Sequence, residues 1–130
     1  MRQLGKYWLP FAGYALLICY GSSLSTVAKP FSGWNFDKVL HFLEYMPFGF
    51  LLLRAMAGEK AESSSSELNW PGIFRSSVFI TLLYGMLDEF HQFYVPGRNA
   101  DLFDALMDLA GGVFGAWIFL KWKEKQLKKG

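Results

Sequence analysis

Charged side chains and cysteines are both scarce in this chain. Only 18% of its 130 residues are Asp, Glu, Lys or Arg, whereas 52% are apolar and 18% are aromatic. A small soluble domain has much surface for its volume and needs a larger polar fraction, so this composition indicates a protein surrounded by lipid. The single cysteine, Cys19, excludes an intrachain disulfide. The net charge of +2 is small, and we expect no nucleic-acid partner.

The sequence also lacks the short motifs that mark common enzyme sites. It contains no Gly-x-Ser-x-Gly nucleophile elbow and no zinc-binding signature. The sequence therefore leaves open whether the chain is an enzyme.

Four apolar stretches are long enough to cross a bilayer, for which about 20 residues are needed. They cover residues 7–24, 38–56, 73–94 and 102–120. The first has no charge, and in the other three the charges lie near the ends, where side chains reach the interface. We therefore predict an all-α polytopic membrane protein, a bundle of four transmembrane helices in one domain over residues 1–130. A cleaved signal peptide is the alternative for the first stretch, but no clean small-x-small cleavage site follows it.

The basic residues predict how these four spans are oriented. Four spans place both termini and the middle loop, residues 57–72, on one side of the membrane. Ten of the thirteen Lys and Arg residues fall on that side, several of them in the basic C-terminal tail 121–130. The other three are Lys29, Lys38 and Arg98. Because cytoplasmic segments carry the excess of Lys and Arg, we predict that both termini are cytoplasmic.

Ionisable side chains collect at the predicted extracytoplasmic ends of spans two, three and four. Seven of the eleven Asp and Glu residues lie in this layer. Its polar residues are Asp37, His41, Glu44, Tyr45, Asp88, Glu89, Gln92, Arg98, Asp101, Asp104 and Asp108. An ionised side chain in hydrocarbon costs several kcal/mol, so an intramembrane ionisable residue is a functional candidate by default. The sequence therefore predicts a polar site that faces the extracytoplasmic side.

Helical spacing places the polar residues of each span on one face, because residues three or four apart are neighbours on a helix. The stripes are Asp37, His41 and Tyr45 on span two, Asp88 and Gln92 on span three, and Asp101, Asp104 and Asp108 on span four. Burial against one another is the least costly arrangement for these stripes in lipid, so we expect them to meet. Gly111, Gly112 and Gly115 indicate that span four packs closely against a neighbouring helix.

The loop between spans three and four predicts a tight turn. Pro96 and Gly97 fit the central positions of a type II turn, because proline fixes φ and glycine adopts a positive φ. This hairpin should hold Arg98 beside the carboxylates as a fixed positive fork.

Two motifs resemble those of a known family. The first is Asp-Lys-x-x-His-Phe-x-x-Tyr, which fits Asp37, Lys38, His41, Phe42 and Tyr45. The second is Asp-Glu-x-x-Gln-x-x-x-Pro-x-Arg with a later Asp and Gly, which fits Asp88, Glu89, Gln92, Pro96, Arg98, Asp104 and Gly111. Over residues 37–115 the chain is thus similar to the VanZ-like family of bacterial membrane proteins. Asp108 stands where the family often has Asn.

The resemblance implies a multi-pass protein of the bacterial cytoplasmic (inner) membrane with a role in the cell envelope. The family's name-giving member is associated with low-level resistance to the glycopeptide antibiotic teicoplanin. The resemblance therefore supports fold and location, and it supplies no reaction.

The side chains of the polar layer suit two kinds of chemistry. A divalent cation could activate water or polarise a phosphoryl oxygen, and without a metal a crowded carboxyl group could act as general acid or base with an imidazole. The candidate catalytic residues are Asp37, His41, Asp88, Glu89, Arg98 and Asp104, and the candidate binding residues are Tyr45, Gln92, Asp101 and Asp108. The candidate metal ligands are Asp37, His41, Asp88, Glu89 and Asp104. Arg98 is suited to bind a phosphate or carboxylate.

Three functions fit these residues. The first is an enzyme that acts on a phospholipid or a lipid-linked cell-wall precursor, and the second is a non-catalytic binding or accessory protein. The third is an ion or proton pathway, which has the least support because the cytoplasmic halves of spans two to four are apolar. A purely structural network is the alternative interpretation of the polar residues. The substrate and the oligomeric state stay open.

Overall fold

The computed structural model describes residues 4–24, 34–63 and 67–129, and these residues form four α-helices. The helices are α1 (Leu9–Ser23), α2 (Trp34–Ser63), α3 (Trp70–Phe93) and α4 (Leu102–Leu127). One π-helical turn, Leu4–Trp8, precedes α1. No strand occurs within the described residues. The all-α prediction is confirmed.

Several helices extend beyond the predicted apolar stretches: α2 begins at Trp34, and α3 begins at Trp70, inside the predicted loop 57–72. α2 continues to Ser63, so the first residues of the predicted loop 57–72 are helical. α4 continues to Leu127, so most of the predicted tail 121–130 is helical too. The predictions ended where charges begin, but Lys and Glu are good helix formers and do not by themselves end a helix.

Side-chain caps define where the last two helices begin. The side chain of Asn69 accepts a hydrogen bond from the Gly72 amide at 3.1 Å, and that of Asp101 accepts one from the Phe103 amide at 2.8 Å. Each cap satisfies an amide that has no partner within its own helix. Asp101 thereby acquires a structural role at the start of α4.

Glycines allow α2 and α4 to pack at backbone distance. A Cβ atom on Gly111 would overlap the carbonyl group of Phe42, and one on Gly115 would overlap that of Met46. Gly49 on α2 meets the backbone of Gly112 in the same way. The prediction of close packing by the glycines of α4 is confirmed, and the structure identifies α2 as the partner.

Two apolar clusters form the core at different levels of the bundle. One contains the buried residues Ile18, Tyr45, Phe48 and Leu52. The other contains Leu53, Ala57, Ile73, Ala116 and Phe119. Two tyrosines attach α1 to this core, since Tyr14 donates a hydrogen bond to the Glu44 carbonyl at 2.8 Å and Tyr84 donates one to the Ala15 carbonyl.

Two helices are long and apolar enough to cross a membrane, as judged by length and composition. They are Phe36–Ala61 within α2 and Leu102–Leu127, which is α4. This finding supports association with a membrane.

Candidate functional site

Buried polar side chains from three helices lie at one end of the bundle. The set comes from the first half of α2, the last two turns of α3 and the first two turns of α4. Its members are each 7% exposed or less: His41, Asp88, Glu89, Gln92, Asp104 and Asp108. Asp37 and Asp101 beside them are partly exposed. The burial of so many carboxyl groups is unusual, because burying a charge is costly unless it has a partner.

The centre of the site is a pair formed by His41 and Asp108. His41 Nδ1 lies 2.9 Å from Asp108 Oδ1, and both side chains are buried. With Asp108 as a carboxylate, whose oxygens only accept, this contact requires the ring proton on Nδ1. The other ring nitrogen, Nε2, then faces Oδ2 of Asp104 at 3.8 Å. Asp108, predicted as a binding residue, thus lies at the centre of the site.

Lys38 connects α2 to the start of α4. Its ammonium nitrogen lies 2.8 Å from Asp101 Oδ2 and 2.9 Å from Asp104 Oδ1. The hydrogen bond from Lys38 lowers the pKa of Asp101. The hydrogen bond from the Phe103 amide lowers this pKa further, because it also stabilises the carboxylate. Lys38 was not predicted as a site residue. The signal was its place in the Asp-Lys-x-x-His motif, next to the polar stripe of α2.

Glu89 joins the end of α3 to the start of α4. Its Oε2 accepts a hydrogen bond from the Asp101 amide at 2.8 Å. One turn away, Gln92 Nε2 donates to Asp88 Oδ2 at 3.2 Å, so the predicted stripe of α3 is held by a bond within its own helix. Asp88 is buried beside the site, but among the described residues it belongs to neither of the groups that could hold a metal ion.

Three buried oxygen atoms in this region have no hydrogen-bond partner among the described residues. They are Glu89 Oε1, Asp108 Oδ2 and the hydroxyl oxygen of Tyr45. Most buried polar atoms in folded proteins have a partner, so each exception calls for an explanation. The three atoms come from three different helices, α2, α3 and α4. The site can therefore accept further hydrogen bonds or coordinate a ligand from three sides.

Two overlapping groups of side chains could hold a metal ion. One is Asp37, His41 and Asp104, and the other is His41, Glu89 and Asp108. Within each group, one ligand atom from every member lies within 4.8 Å of the others. Four of the five predicted metal ligands belong to these groups, and Asp108 is an addition that the sequence analysis assigned to binding.

The predicted hairpin forms, but the side chain of Arg98 donates its hydrogen bonds to α1 and not to the carboxylates. Gly97 has a φ of 81°, and the Arg98 amide donates to the Val95 carbonyl at 3.1 Å, as a type II turn requires. The guanidinium donates to the carbonyls of Gly21 and Leu24 at 3.2 and 3.3 Å rather than to a carboxylate. The expectation that Arg98 lies beside the carboxylates is corrected in one respect: Arg98 hydrogen-bonds to no carboxylate of the described residues, although it is close enough to Glu44 to interact with it electrostatically. Carbonyls at the C-terminal end of α1 lack helical partners and carry partial negative charge, which attracts the cation.

Comparison with known proteins identifies the family. The model of the VanZ/LLP1 family matches residues 3–123, which is nearly the whole chain. The chain belongs to this family, and the resemblance predicted from its two motifs is confirmed. No curated protein and no solved structure gives a match.

Proposed function

We propose that this chain is a four-span protein of the bacterial cytoplasmic membrane that binds a phosphate-bearing lipid head group in the polar site. In this proposal the site opens to the extracytoplasmic leaflet, and both termini are cytoplasmic. The ligand class is a phospholipid or a lipid-linked precursor of the cell envelope. The link to envelope precursors and to low-level teicoplanin resistance is proposed from the family resemblance alone.

Exposed apolar side chains support the membrane arrangement. Leu16 on α1, Leu87 on α3 and Leu102 on α4 are 69%, 65% and 75% exposed, and many other large apolar residues are exposed as well. Such a surface is favourable in lipid and unfavourable in water. It occurs on α1 and α3 as well as on α4, which supports four spans rather than two.

The charge distribution supports the orientation. The end of the bundle opposite the polar site carries the basic residues of the α2 and α4 C-terminal ends, among them Arg54, Lys60 and Lys123. The site end carries Lys38 and Arg98 among the described residues, while Lys29 lies outside them. An excess of Lys and Arg marks the cytoplasmic side, so the polar site belongs on the other side.

The observation that carries the proposed ligand class is the presence of several donor and cationic side chains at one depth. A phosphate group needs donors and positive charge, and Lys38, His41 and Arg98 supply them at the same end of the bundle. Nε and Nη2 of Arg98 donate hydrogen bonds to carbonyl oxygens at the end of α1, and its Nη1 has no partner among the described residues. The lipid tails of such a ligand would lie against the exposed apolar faces of the helices.

A second candidate function is catalysis on the bound head group, and the His41–Asp108 pair favours it. A carboxylate that accepts from one ring nitrogen fixes the imidazole, so that the other nitrogen can take or give a proton. Nε2 of His41 is in that position and faces Asp104. A water molecule or a leaving oxygen at Nε2 would be the partner in such a proton transfer.

An ion pathway has little support because the polar groups do not continue through the bundle. Beyond the site, the helices pack through apolar residues such as Leu53, Ile73 and Phe119. The buried hydroxyls of Ser77 and Thr81 donate to carbonyls of their own helix, at 2.8 Å each. They therefore hydrogen-bond locally and do not extend a chain of polar groups.

Lipid binding by the purified full chain tests the proposal. We expect preference for phosphatidic acid and a polyprenyl phosphate over diacylglycerol, which carries no phosphate, in detergent-solubilised protein, and roughly tenfold weaker binding by His41→Ala. Glu124→Gln, an exposed acid at the opposite end of α4, is the matched control and should bind as the wild type does. Equal binding of phosphorylated and neutral lipids, or by wild type and His41→Ala, would contradict the proposal. Release of inorganic phosphate from the bound lipid separates catalysis from binding.

A further inference from the structure

The buried carboxyl groups of the site differ in the cationic partners that they have. Asp104 contacts the Lys38 ammonium, which also contacts Asp101. Asp108 has only the imidazole of His41 as a basic partner, and Glu89 takes part in none of the ion pairs among the described residues. Glu89 and Asp108, which are 7% and 0% exposed, therefore lack a permanently charged partner, as does the buried Asp88 among the described residues. In an apolar environment this leaves negative charge that a further cation or a proton must compensate.

Two of the three unpartnered oxygens belong to these same acids. Within the part of the chain that the structure describes, Glu89 Oε1 and Asp108 Oδ2 are buried without a hydrogen-bond partner, and the Tyr45 hydroxyl is a third such atom, in a residue that is 0% exposed. An unsatisfied buried polar atom costs about 1–3 kcal/mol. A cation coordinated by one oxygen of each carboxyl group would remove this cost for both groups.

The distances within this group suit a small metal ion. One ring nitrogen of His41 and one carboxylate oxygen from each of Glu89 and Asp108 lie within 4.8 Å of one another. Zinc binds nitrogen and oxygen at about 2.0–2.2 Å, so two ligand atoms of a tetrahedral site lie roughly 3.3–3.5 Å apart. His41 Nδ1 and Asp108 Oδ1 are 2.9 Å apart, so this pair would have to separate slightly to reach that spacing.

We propose that His41, Glu89 and Asp108 form a binding site for one divalent transition-metal ion of the Zn²⁺ type. On binding, the ion would take the place of the Nδ1 proton of His41, and that proton would pass to Nε2, which faces Asp104 Oδ2. A carboxylate on the far side of a metal-binding imidazole orients the ring, so Asp104 is a positioning residue. Mixed imidazole and carboxylate donors favour Zn²⁺ over Ca²⁺ or Mg²⁺.

The other group that could hold a metal, Asp37 with His41 and Asp104, is less suitable. Asp104 already contacts the ammonium of Lys38 at 2.9 Å, and that positive charge repels a second cation at the same carboxylate. In contrast, the ligand oxygens of Glu89 and Asp108 face no Lys or Arg nitrogen in the ion pairs of the described chain. The charge distribution therefore assigns the ion to Glu89 and Asp108.

Three protein ligands leave one position of a tetrahedral zinc ion open. A phosphate oxygen of the head group can occupy this position, so the role of the ion in lipid binding rests on the proposed function above. The binding of the ion itself does not depend on that function, because all three ligands come from the protein.

Metal titration of the full chain tests this inference. The protein is stripped with chelator, reconstituted in phosphatidylcholine nanodiscs and titrated with Zn²⁺ by calorimetry, with bound metal counted by mass spectrometry. We expect one ion per chain, and binding weakened by roughly tenfold or more in each of Glu89→Gln and Asp108→Asn. Glu124→Gln, an exposed acid away from the site, should bind as the wild type does. Helix content by circular dichroism shows that each variant is folded.

Each outcome of the titration decides the inference. Loss of the ion in both site variants, with retention in Glu124→Gln, supports it, and so does a visible Co²⁺ spectrum that changes in His41→Ala. Absence of bound metal, or equal metal binding by wild type and both site variants, overturns it and leaves a proton as the compensating charge. Because the nanodiscs contain no phosphomonoester lipid, failure here leaves a preference for phosphorylated lipid intact. Failure of the lipid assay likewise leaves the metal result unchanged.

Discussion

Replacing Gly115 by alanine should force α4 away from α2. The added Cβ would overlap the carbonyl oxygen of Met46 and lie 2.7 Å from its carbonyl carbon and 3.1 Å from its Cα. These atoms belong to the backbone of α2, so they cannot rotate out of the way as a side chain could. One of the two helices must therefore shift, and the polar residues on both helices shift with it.

The expected size of the effect follows from two opposing contributions. Overpacking a close contact costs about 1–3 kcal/mol, and the backbone obstacle places Gly115→Ala toward the upper end. Alanine in place of a helical glycine gains up to about 1 kcal/mol in helix propensity. Gly13→Ala isolates that gain, because an added Cβ on Gly13 meets nothing within 4 Å. The difference between the two variants therefore measures the packing cost alone, about 2–3 kcal/mol.

Reversible unfolding in mixed detergent micelles measures both variants. Helix content by circular dichroism against the SDS fraction gives the free energy of unfolding of each. We expect Gly115→Ala to be less stable than wild type and Gly13→Ala to be equal or slightly more stable. If both substitutions change the free energy of unfolding by the same amount, the close approach of α2 and α4 is refuted.

Two further predictions concern topology and the start of α4. In a Cys19→Ser background, a cysteine introduced at Asn99 should react with an impermeant maleimide in intact cells, whereas one at Lys129 should react only after permeabilisation. The reverse pattern would overturn the proposed orientation. Asp101→Ala should lower the free energy of unfolding by about 1 kcal/mol because the helix cap is lost, and Asp101→Asn should cost less because asparagine also caps. Equal losses in thermal or detergent unfolding would show that the ion pair with Lys38, and not the cap, stabilises this helix start.

The existence of the helices could be predicted from the sequence, but their ends could not. Long apolar stretches require helix or barrel structure in lipid, and their length fits a helical span. The ends depend on caps and on charged residues that continue a helix beyond the apolar part. Lys60 in α2 and Lys123 in α4 are residues of this kind, and both lie in segments that were predicted as loop or tail.

The polar stripes could be predicted from spacing, whereas the contacts between them could not. Residues three or four apart share a face whatever the tertiary structure is, which explains why His41, Asp104 and Asp108 were found. The pairing of Lys38 with Asp104 joins residues 66 positions apart, and that of Arg98 with the Gly21 carbonyl joins residues 77 apart. Such contacts depend on the rotation and height of each helix, which glycine packing sets and local sequence does not.

A purely structural explanation accounts for only part of the polar site. Residues that serve to hold helices together need partners for all their buried atoms, because a half-satisfied polar network costs more than an apolar contact of the same size. Lys38 meets that requirement by contacting two carboxylates on α4. Glu89 and Asp108 do not, because each keeps one buried oxygen that no described residue hydrogen-bonds, although apolar side chains could fill the same space. A residue that costs stability in this way is expected where a ligand supplies the missing contact. Lys38 is fully paired whereas Glu89 and Asp108 are not, and this difference is the physical basis for assigning the ion to Glu89 and Asp108.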